Sequence, residues 1–451
     1  MIYVTTDFSE VWAFDARTGQ KLWSFDPETR AWQINTCCSP ANRGVAIWGD
    51  KVFVGALDGR LIALEAKTGK LVWSTQTFPK STRLSITGAP RVIKGVVIIG
   101  NGGAELGARG FVAGFDAETG KQKWKFWMVP GKEDHDGEVS DKAMKIAYPT
   151  WHGHWWDYGG GGTPWDGMAY DPDLDLLYVG GGNGSPWNSQ LRSPGGGDNL
   201  FLGSIVALKP ETGEYAWHFQ ETPGDSWDYT STQPLILADI KIDGQVRKTL
   251  LHAPKNGFFY VLDRATGKFI HGTNYSVVNL GHGPGRQRPA DREPRRPLRR
   301  HRQALCVDPR PGRRARLAAD VVQPQERAGL HPDLGRLLPL PRRSHRRRHR
   351  PQQARLQHRR RRLLRHRGQP RGGRRQARRL RHRRRSPRLL PPGLGPRRPE
   401  AVWKAPQVKN FNGGVLSTAG GLVFEGNQVN EINAYKDDTG QKLWTFDARP
   451  A

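Results

Sequence analysis

Cysteine and methionine are scarce in this chain, with 3 Cys and 4 Met in 451 residues. Cys37 and Cys38 are adjacent and Cys306 stands far from both, so there is no CxxC pair, no Cys/His metal spacing and no haem-attachment motif. That excludes a disulfide-stapled small domain, a zinc module and a covalently held haem within this sequence. No apolar run approaches the ~20 residues needed to cross a bilayer as a helix, and the opening MIYVTTDF carries no basic-then-apolar leader. A larger deficit is local. Residues 281–400 contain no Phe, Trp, Tyr, Ile, Met, Asn, Thr or Lys, although the chain as a whole has 16 Trp, 10 Tyr and 16 Phe. A segment this poor in bulky side chains cannot bury enough surface to offset its ordering entropy and is expected to be irregular.

Charge follows the same boundary. Residues 281–400 hold 39 Arg and 7 acidic residues, a formal +32, against +29 for the whole chain, so everything outside them is close to neutral. RRSHRRRHR, Arg342 to Arg350, taken alone points to a polyanion partner. Nucleic-acid arms pair such charge with aromatic stacking groups, which are missing here, and no nucleic-acid role is expected. The genetic code offers another reading. Arg, Pro, Ala, Gly and Leu are what a GC-rich gene yields out of frame. Back-translated and started one nucleotide later, Arg314 to Asp333 permits AHDWxPMxFNPKNGLVYIPT, a protein-like stretch with a Trp and an apolar strand. Residues 281–400 are therefore read as the product of a frameshift, corrected near Ala401 where VWKAPQVKNFNGG resumes ordinary composition.

What the flanks contain is a repeat. It reads FDARTGQKLW (Phe14 to Trp23), LEAKTGKLVW (Leu64 to Trp73), FDAETGKQKW (Phe115 to Trp124), LKPETGEYAW (Leu208 to Trp217), LDRATGKF (Leu262 to Phe269) and YKDDTGQKLW (Tyr435 to Trp444). Gly19, Gly69, Gly120, Gly213, Gly267 and Gly440 are spaced by 50, 51, 93, 54 and 173 residues, so the period is near 50. Each copy couples alternating strands, as in KVFVGALDGRLIALEA, to a turn whose glycine supplies the positive φ that other residues resist. Short strands at that period predict an all-β chain of β-propeller blades, with the recurring Trp docking each blade on its neighbour.

Fold alone does not assign function. In NTCCSPANRG, neighbouring thiols can remain free or can close a strained eight-membered ring through their shared peptide. Further ordered motifs are GNGGAELGARG, GGTPWDGMAYDP, GGGNGSPWN, GGGDNLFLGSIVAL, TPGDSWDYT and APKNGFFYVLDR. Together with CCSPANRG they resemble the pyrroloquinoline quinone (PQQ)-dependent alcohol dehydrogenases, and GGGDNLFLGSIVAL followed by APKNGFFYVLDR is most similar to their quinohaemoprotein branch. The likeness covers 1–280 and 401–451 in the written frame, and AHDWxPM extends it through the block.

The resemblance implies an eight-bladed propeller of the quinoprotein type and a site for PQQ, a flat tricarboxylated quinone whose pocket needs apolar faces and a cationic or hydroxyl rim. By this likeness a Cys37–Cys38 disulfide ring caps one face and Trp165 lies under the other. Arg43, Thr87 and Thr163 hold the carboxylates, with the backbone amides of Gly103 and Ala104. Calcium, a hard cation that takes oxygen ligands, is implied at Glu105, Asn183 and Asp228. Lanthanide-using relatives have a second Asp two positions after the catalytic one, where Thr230 stands here; one carboxylate fewer favours calcium. Asp228 is the implied base for the alcohol proton, and Lys255 sets a positive charge beside the developing oxyanion. An alcohol, and cytochrome c or a quinone as electron acceptor, are the implied partners, and the periplasm the implied compartment.

The chain departs from the family in starting partway into a blade, without the upstream glutamate that helps bind PQQ, and in ending at DARPA before any CxxCH domain. It reads as a fragment of three parts: 1–280 with the PQQ and calcium site, 281–400 out of frame, and 401–451 a C-terminal partial blade. A non-catalytic propeller of the outer-membrane assembly type shares the blade repeat but not the set Cys37, Cys38, Glu105 and Asp228. A polyanion-binding protein rests on the Arg block alone.

Overall fold

The computed structural model describes residues 1–37, 39–276, 402–405 and 412–448, and the irregular segment expected at 281–400 lies outside them. The described residues form six antiparallel blade sheets. The first has three strands, β1 (Ile2–Thr5), β2 (Val11–Phe14) and β3 (Lys21–Phe25), in line with a chain read as starting partway into a blade. The second runs β4 (Ala46–Trp48), β5 (Lys51–Gly55), β6 (Arg60–Glu65) and β7 (Leu71–Gln76), and the third β8 (Arg91–Ile93), β9 (Val96–Gly100), β10 (Phe111–Asp116) and β11 (Gln122–Trp127). A two-residue strand, β12 (Gly160–Gly161), precedes β13 (Met168–Asp171) and β14 (Leu176–Gly180), and pairs with β15 (Gly184–Ser185). β13 and β14 continue into β16 (Ser204–Leu208) and β17 (Tyr215–Gln220) as the fourth blade. β18 (Ile236–Ile242), β19 (Gln245–His252), β20 (Phe258–Asp263) and β21 (Phe269–Asn274) make the fifth. Residues expected to supply a partial blade form four strands, β22 (Asn412–Thr418), β23 (Leu422–Asn427), β24 (Glu431–Lys436) and β25 (Lys442–Asp447).

The repeated segment folds the same way each time. In Asp15-Ala-Arg-Thr-Gly the Asp15 carboxylate accepts the amides of Arg17 (2.9 Å) and Thr18 (3.0 Å), and Gly19 turns the chain at φ 72°. Asp116 and Asp263 do the same in their blades. Amide donation holds the Asp15 and Asp116 carboxyls below the usual carboxylate range. Immediately before each turn the register slips by one residue, between Ala13 and Phe14, Ala63 and Leu64, Gly114 and Phe115, Ala207 and Leu208, Val261 and Leu262, and Ala434 and Tyr435. The bulge re-aims the outer strand.

Its Trp then reaches the next blade. Trp23, Trp73 and Trp124 lie over Gly69, Gly120 and Gly213, so closely that a Cβ there would sit 2.5–2.7 Å from an indole carbon. Their Nε1–H groups donate to the carbonyls of Ala66, Ala117 and Pro210 at 3.0–3.1 Å. Trp403 repeats both contacts with Gly440 and the Asp437 carbonyl. At the fifth blade Trp217 covers Gly267, but the equivalent carbonyl, that of Arg264, accepts the Tyr178 hydroxyl at 2.8 Å, and the Trp217 Nε1–H is left without an acceptor.

Where a sheet is sandwiched between two others, as the third is, both faces of its inner strands are buried. In β9, Val97 and Ile99 pack with Phe53 and Leu61 of the preceding blade, while Val96 and Ile98 pack with Leu177 and Val179 of the next. This explains why the strand reads VVIIG without polar interruption.

Replacing Trp124 by Ala, which removes a buried indole and its hydrogen bond, is expected to cost about 3–5 kcal/mol, measured as a lowered urea midpoint. Trp444→Ala, at a Trp that is 48% exposed, should change stability by less than about 0.5 kcal/mol. Equal losses at the two positions would contradict the docking role.

Candidate functional site

The expected site residues lie in loops that join consecutive blades or that follow the second strand of a blade. Glu105 sits on a 3-10 turn, Ala104–Leu106, between β9 and β10, entered through Gly103 at φ 105°; a Cβ there would stand 2.7 Å from the Arg83 carbonyl. Asn183 follows β14 and Lys255 follows β19. Asp228 lies between β17 and β18 and is itself left-handed, at φ 62°, a conformation that costs a non-glycine residue on the order of 1 kcal/mol or more.

Four of these residues meet. The Asn183 amide donates to Glu105 Oε1 at 3.3 Å, and Lys255 Nζ lies 3.3 Å from Asp228 Oδ2 while also donating to the Asp228 carbonyl. Burial pushes the Asp228 carboxyl up to about 6 against the pull of Lys255, and the Glu105 and Asp225 carboxylates push it the same way. Burial lowers the Lys255 ammonium, opposed by Asp228, Asp225 and Glu105. The site thus contains more negative charge than its single lysine offsets.

A second group adjoins through Thr163. Arg43 lays its guanidinium over the Trp165 ring, 4.7 Å from the centroid, and Nε is 3.6 Å from Asp166. Thr87 reaches Arg43 through its backbone: the Thr87 carbonyl accepts the Arg43 amide (3.0 Å) and Nη1 (3.3 Å). Thr163 is buried, and its carbonyl would lie 2.5 Å from any Cβ at Gly182, next to Asn183. The amides of Gly103 and Ala104 have no acceptor among the described residues. Cys37 is exposed, two residues beyond the turn Arg30–Asn35. Cys38 lies outside the described residues, and the expected ring with it.

Two contributors were not picked out from sequence. Asp166 pairs with Arg43 and, at 4.0 Å, with Arg91; only its place after Trp165 hinted at it. Asp225, fully buried, accepts the amides of Trp227 (3.0 Å) and Tyr229 (3.4 Å) and so fixes the loop on both sides of Asp228. The D-x-x-D spacing in GDSWD was its signal. Its Oδ2 has no partner, and burial pushes its carboxyl up.

The donor set suits a hard cation: two carboxylates and an amide, with rotation of Asn183 turning its oxygen toward Glu105 and with negative charge left uncompensated at Asp228. No group of three or more His, Cys, Asp or Glu side chains forms a ready metal cage among the described residues. Trp165 and Arg43, with free amides and close glycine backbones nearby, fit a flat anionic ring. Six blades of one propeller with such a site at their loops define a quinoprotein-type β-propeller.

The chain belongs to the PQQ family described as glucose/ethanol/alcohol dehydrogenase, beta-propeller domain, which matches residues 1–305. It is 46% identical over 465 residues to the quinohemoprotein alcohol dehydrogenase ADH IIB of Pseudomonas putida, covering all of this chain and 62% of that protein. It is 39% identical over 487 residues to a 1-butanol dehydrogenase (cytochrome c) of Thauera butanivorans, covering 99% of this chain and 63% of that one. The crystal structure of the quinohemoprotein alcohol dehydrogenase from Comamonas testosteroni superposes with a TM-score of 0.72 at 37% identity, over 99% of this chain and 65% of that one. The chain therefore spans about three fifths of the length of the curated relatives it matches.

A raised carboxyl pKa has a sign that can be checked. Burial keeps Asp228 protonated in the folded protein to about pH 6, well above the ordinary aspartate range, so ionising it opposes folding at neutral pH and costs nothing below about pH 4. The cofactor-free Asp228→Asn protein should melt higher than its parent at pH 7.5, with the gap closing as pH falls from 6 to 4. Thermal denaturation across that range checks it, and a variant that melts lower at pH 7.5 would refute the uncompensated charge.

Proposed function

We propose that the chain is the PQQ-binding part of a calcium-dependent alcohol dehydrogenase that oxidises alcohols to aldehydes. The observation that carries this reading is the meeting of Asp228 with Lys255 and Glu105 beside Asn183, in a chain of the PQQ family. When bound, PQQ with calcium supplies the hydride acceptor for the alcohol carbon. Trp165 and Arg43 bind the flat anion, with Thr87, Thr163 and the amides of Gly103 and Ala104 at its rim and the Cys37–Cys38 ring on the other face. Glu105, Asn183 and Asp228 hold the cation. Asp228 Oδ2 accepts the alcohol hydroxyl proton, and Lys255 places a positive charge next to that carboxylate and stabilises charge developing on oxygen. At position 230 the Thr hydroxyl is buried and bonded to Thr232 and Gln233, so no further carboxylate reaches the cation. That supports calcium over a trivalent ion.

The complete ring is taken to have eight blades. Six are described, and the docked Trp23, Trp73, Trp124 and Trp217 all lie on the last strand of a blade that packs on the next. Trp403 stands in that same position relative to the final sheet, so a blade should end at it. Residues 277–401 have the length of two blades at the observed spacing. The family match ending at residue 305 supports reading 281–400 as out of frame. An alcohol substrate, a cytochrome c or quinone acceptor and a periplasmic location follow from the relatives' chemistry; no helix among the described residues is long and apolar enough to cross a membrane.

Asp228→Asn in the frame-corrected gene product, reconstituted with PQQ and Ca²⁺, should lose at least ~10²-fold in dye-linked alcohol oxidation while still binding PQQ. The chain as written should show little or no turnover. Loss of two charge-assisted contacts from the segment read as out of frame, each worth about 1.5–3 kcal/mol, would weaken cofactor binding by roughly 10²- to 10⁴-fold. Full turnover by the Asp228→Asn protein would remove the assignment of the base, and robust turnover by the chain as written would remove the frameshift reading.

A further inference from the structure

A cavity of about 320 Å³ lies behind the turn that carries Glu105, and none of the site side chains named above lines it. Its volume is near the lower end of the roughly 300–1,000 Å³ typical of small-molecule pockets. One wall is aromatic. Phe78 meets Phe111 edge-on at 6.5 Å, and Phe111 meets Trp127 edge-on at 5.7 Å. Leu106, the last residue of the turn that carries Glu105, and Ala108 just past it extend the apolar lining.

Three cations face the same space, and they differ in what neutralises them. Arg109 is committed: its guanidinium makes a two-point bond to Asp136 (2.8 and 2.6 Å), donates to the Val129 carbonyl and stacks on Trp127 at 4.1 Å. Lys125 is not. Its Nζ sits 4.6 Å from the Phe111 centroid and 5.1 Å from that of Trp127, and among the described residues its ammonium has no hydrogen bond or ion pair. Glu138 is the one carboxylate that acts on it through space, and burial outweighs that effect, lowering the ammonium pKa. Arg83 is exposed at the rim, and its side chain has no partner among the described residues. The protein thus holds a half-buried ammonium against aromatic faces, with an unpaired guanidinium at the mouth of the same cavity. A buried charge without a partner is costly, and an anion entering between the two would relieve it.

We propose that this cavity is a binding site for a small organic carboxylate with a flat or compact apolar body, its carboxylate held by Lys125 and Arg83 and its body packed on Phe78, Phe111 and Trp127. Phosphate or sulfate would use the charges but leave the aromatic wall uncovered, and a neutral alcohol would use the wall but not the charges. The site is independent of the dehydrogenase reading.

The test uses the full chain and two probes of one shape, benzoate and benzyl alcohol, followed by calorimetric titration. Benzoate should bind at least tenfold more tightly than benzyl alcohol, and more weakly as salt is added. Lys125→Met and Arg83→Gln should each weaken benzoate at least fivefold, and Lys125→Arg should retain it, which separates lost charge from lost packing. Arg83 lies on the surface, so its substitution keeps the test valid if Lys125→Met fails to fold. Saturation with PQQ and Ca²⁺ should leave benzoate binding unchanged. Equal affinity for the two probes, no effect of either neutral substitution, or competition between benzoate and PQQ would each overturn the proposal.

Discussion

An indole packed on a glycine is the contact on which this architecture depends. Three times among the described residues a Trp on the outer strand of one blade covers the turn glycine of the next and donates its Nε1–H to the carbonyl three residues before that glycine, and Trp403 makes the same two contacts with the final sheet. The contact needs three things at once: a glycine with no Cβ, a positive φ at that glycine, and a bulge that aims the Trp. All three come from one ten-residue segment, which is why the segment recurs almost unchanged while the strands around it vary. The exception at Trp217 is instructive. Tyr178 takes the carbonyl, yet the indole still covers Gly267, so apolar contact holds the blades together where the hydrogen bond is absent.

Stacking blades in this way sets where chemistry can occur. The inner strands of the blades are mostly apolar on both faces, and the loops beyond them carry the charged groups of the site. Glu105, Asn183, Asp228 and Lys255 come from different blades but meet because their loops emerge together. Glu105 is exposed, Asp228 half-buried and Asp225 buried, and all three carboxylates act on the one lysine, while burial pushes Asp228 up to about 6. The loops at these blade ends thus gather an excess of negative charge in one region, the kind of perturbed electrostatics that marks a functional site.

Much of this was legible in the chain. The TG repeat marked the blades, and the motifs GGAEL, GGGNGSPW, SWDYT and APKNG marked the four residues that meet. Strand count was less legible. The last sheet, expected as a partial blade, has all four strands. Arg43 and Thr87, each expected at the cofactor rim, touch one another through the Thr87 carbonyl, a backbone contact that no side-chain motif records. Asp166 and Asp225 were passed over because an acid beside a Trp or in a Gly-Asp-Ser loop looks like a solvated turn residue until its burial is known.

The sequence by itself determined what is local: an Asx turn, a glycine at positive φ, a bulge and a Trp at fixed offset, and hence a blade. Those signals survive without tertiary structure because hydrogen bonds within a few residues and the sterics of one φ angle create them. Tertiary structure alone decided which of two neighbouring acids, Asp225 or Asp228, faces Lys255 and which caps the loop. It also decided which indole loses its acceptor, and that Lys125 lies on two aromatic rings beside a cavity instead of in water. Desolvation and through-space charge depend on groups from other blades, and nothing in the order of residues along one strand records how near those groups come.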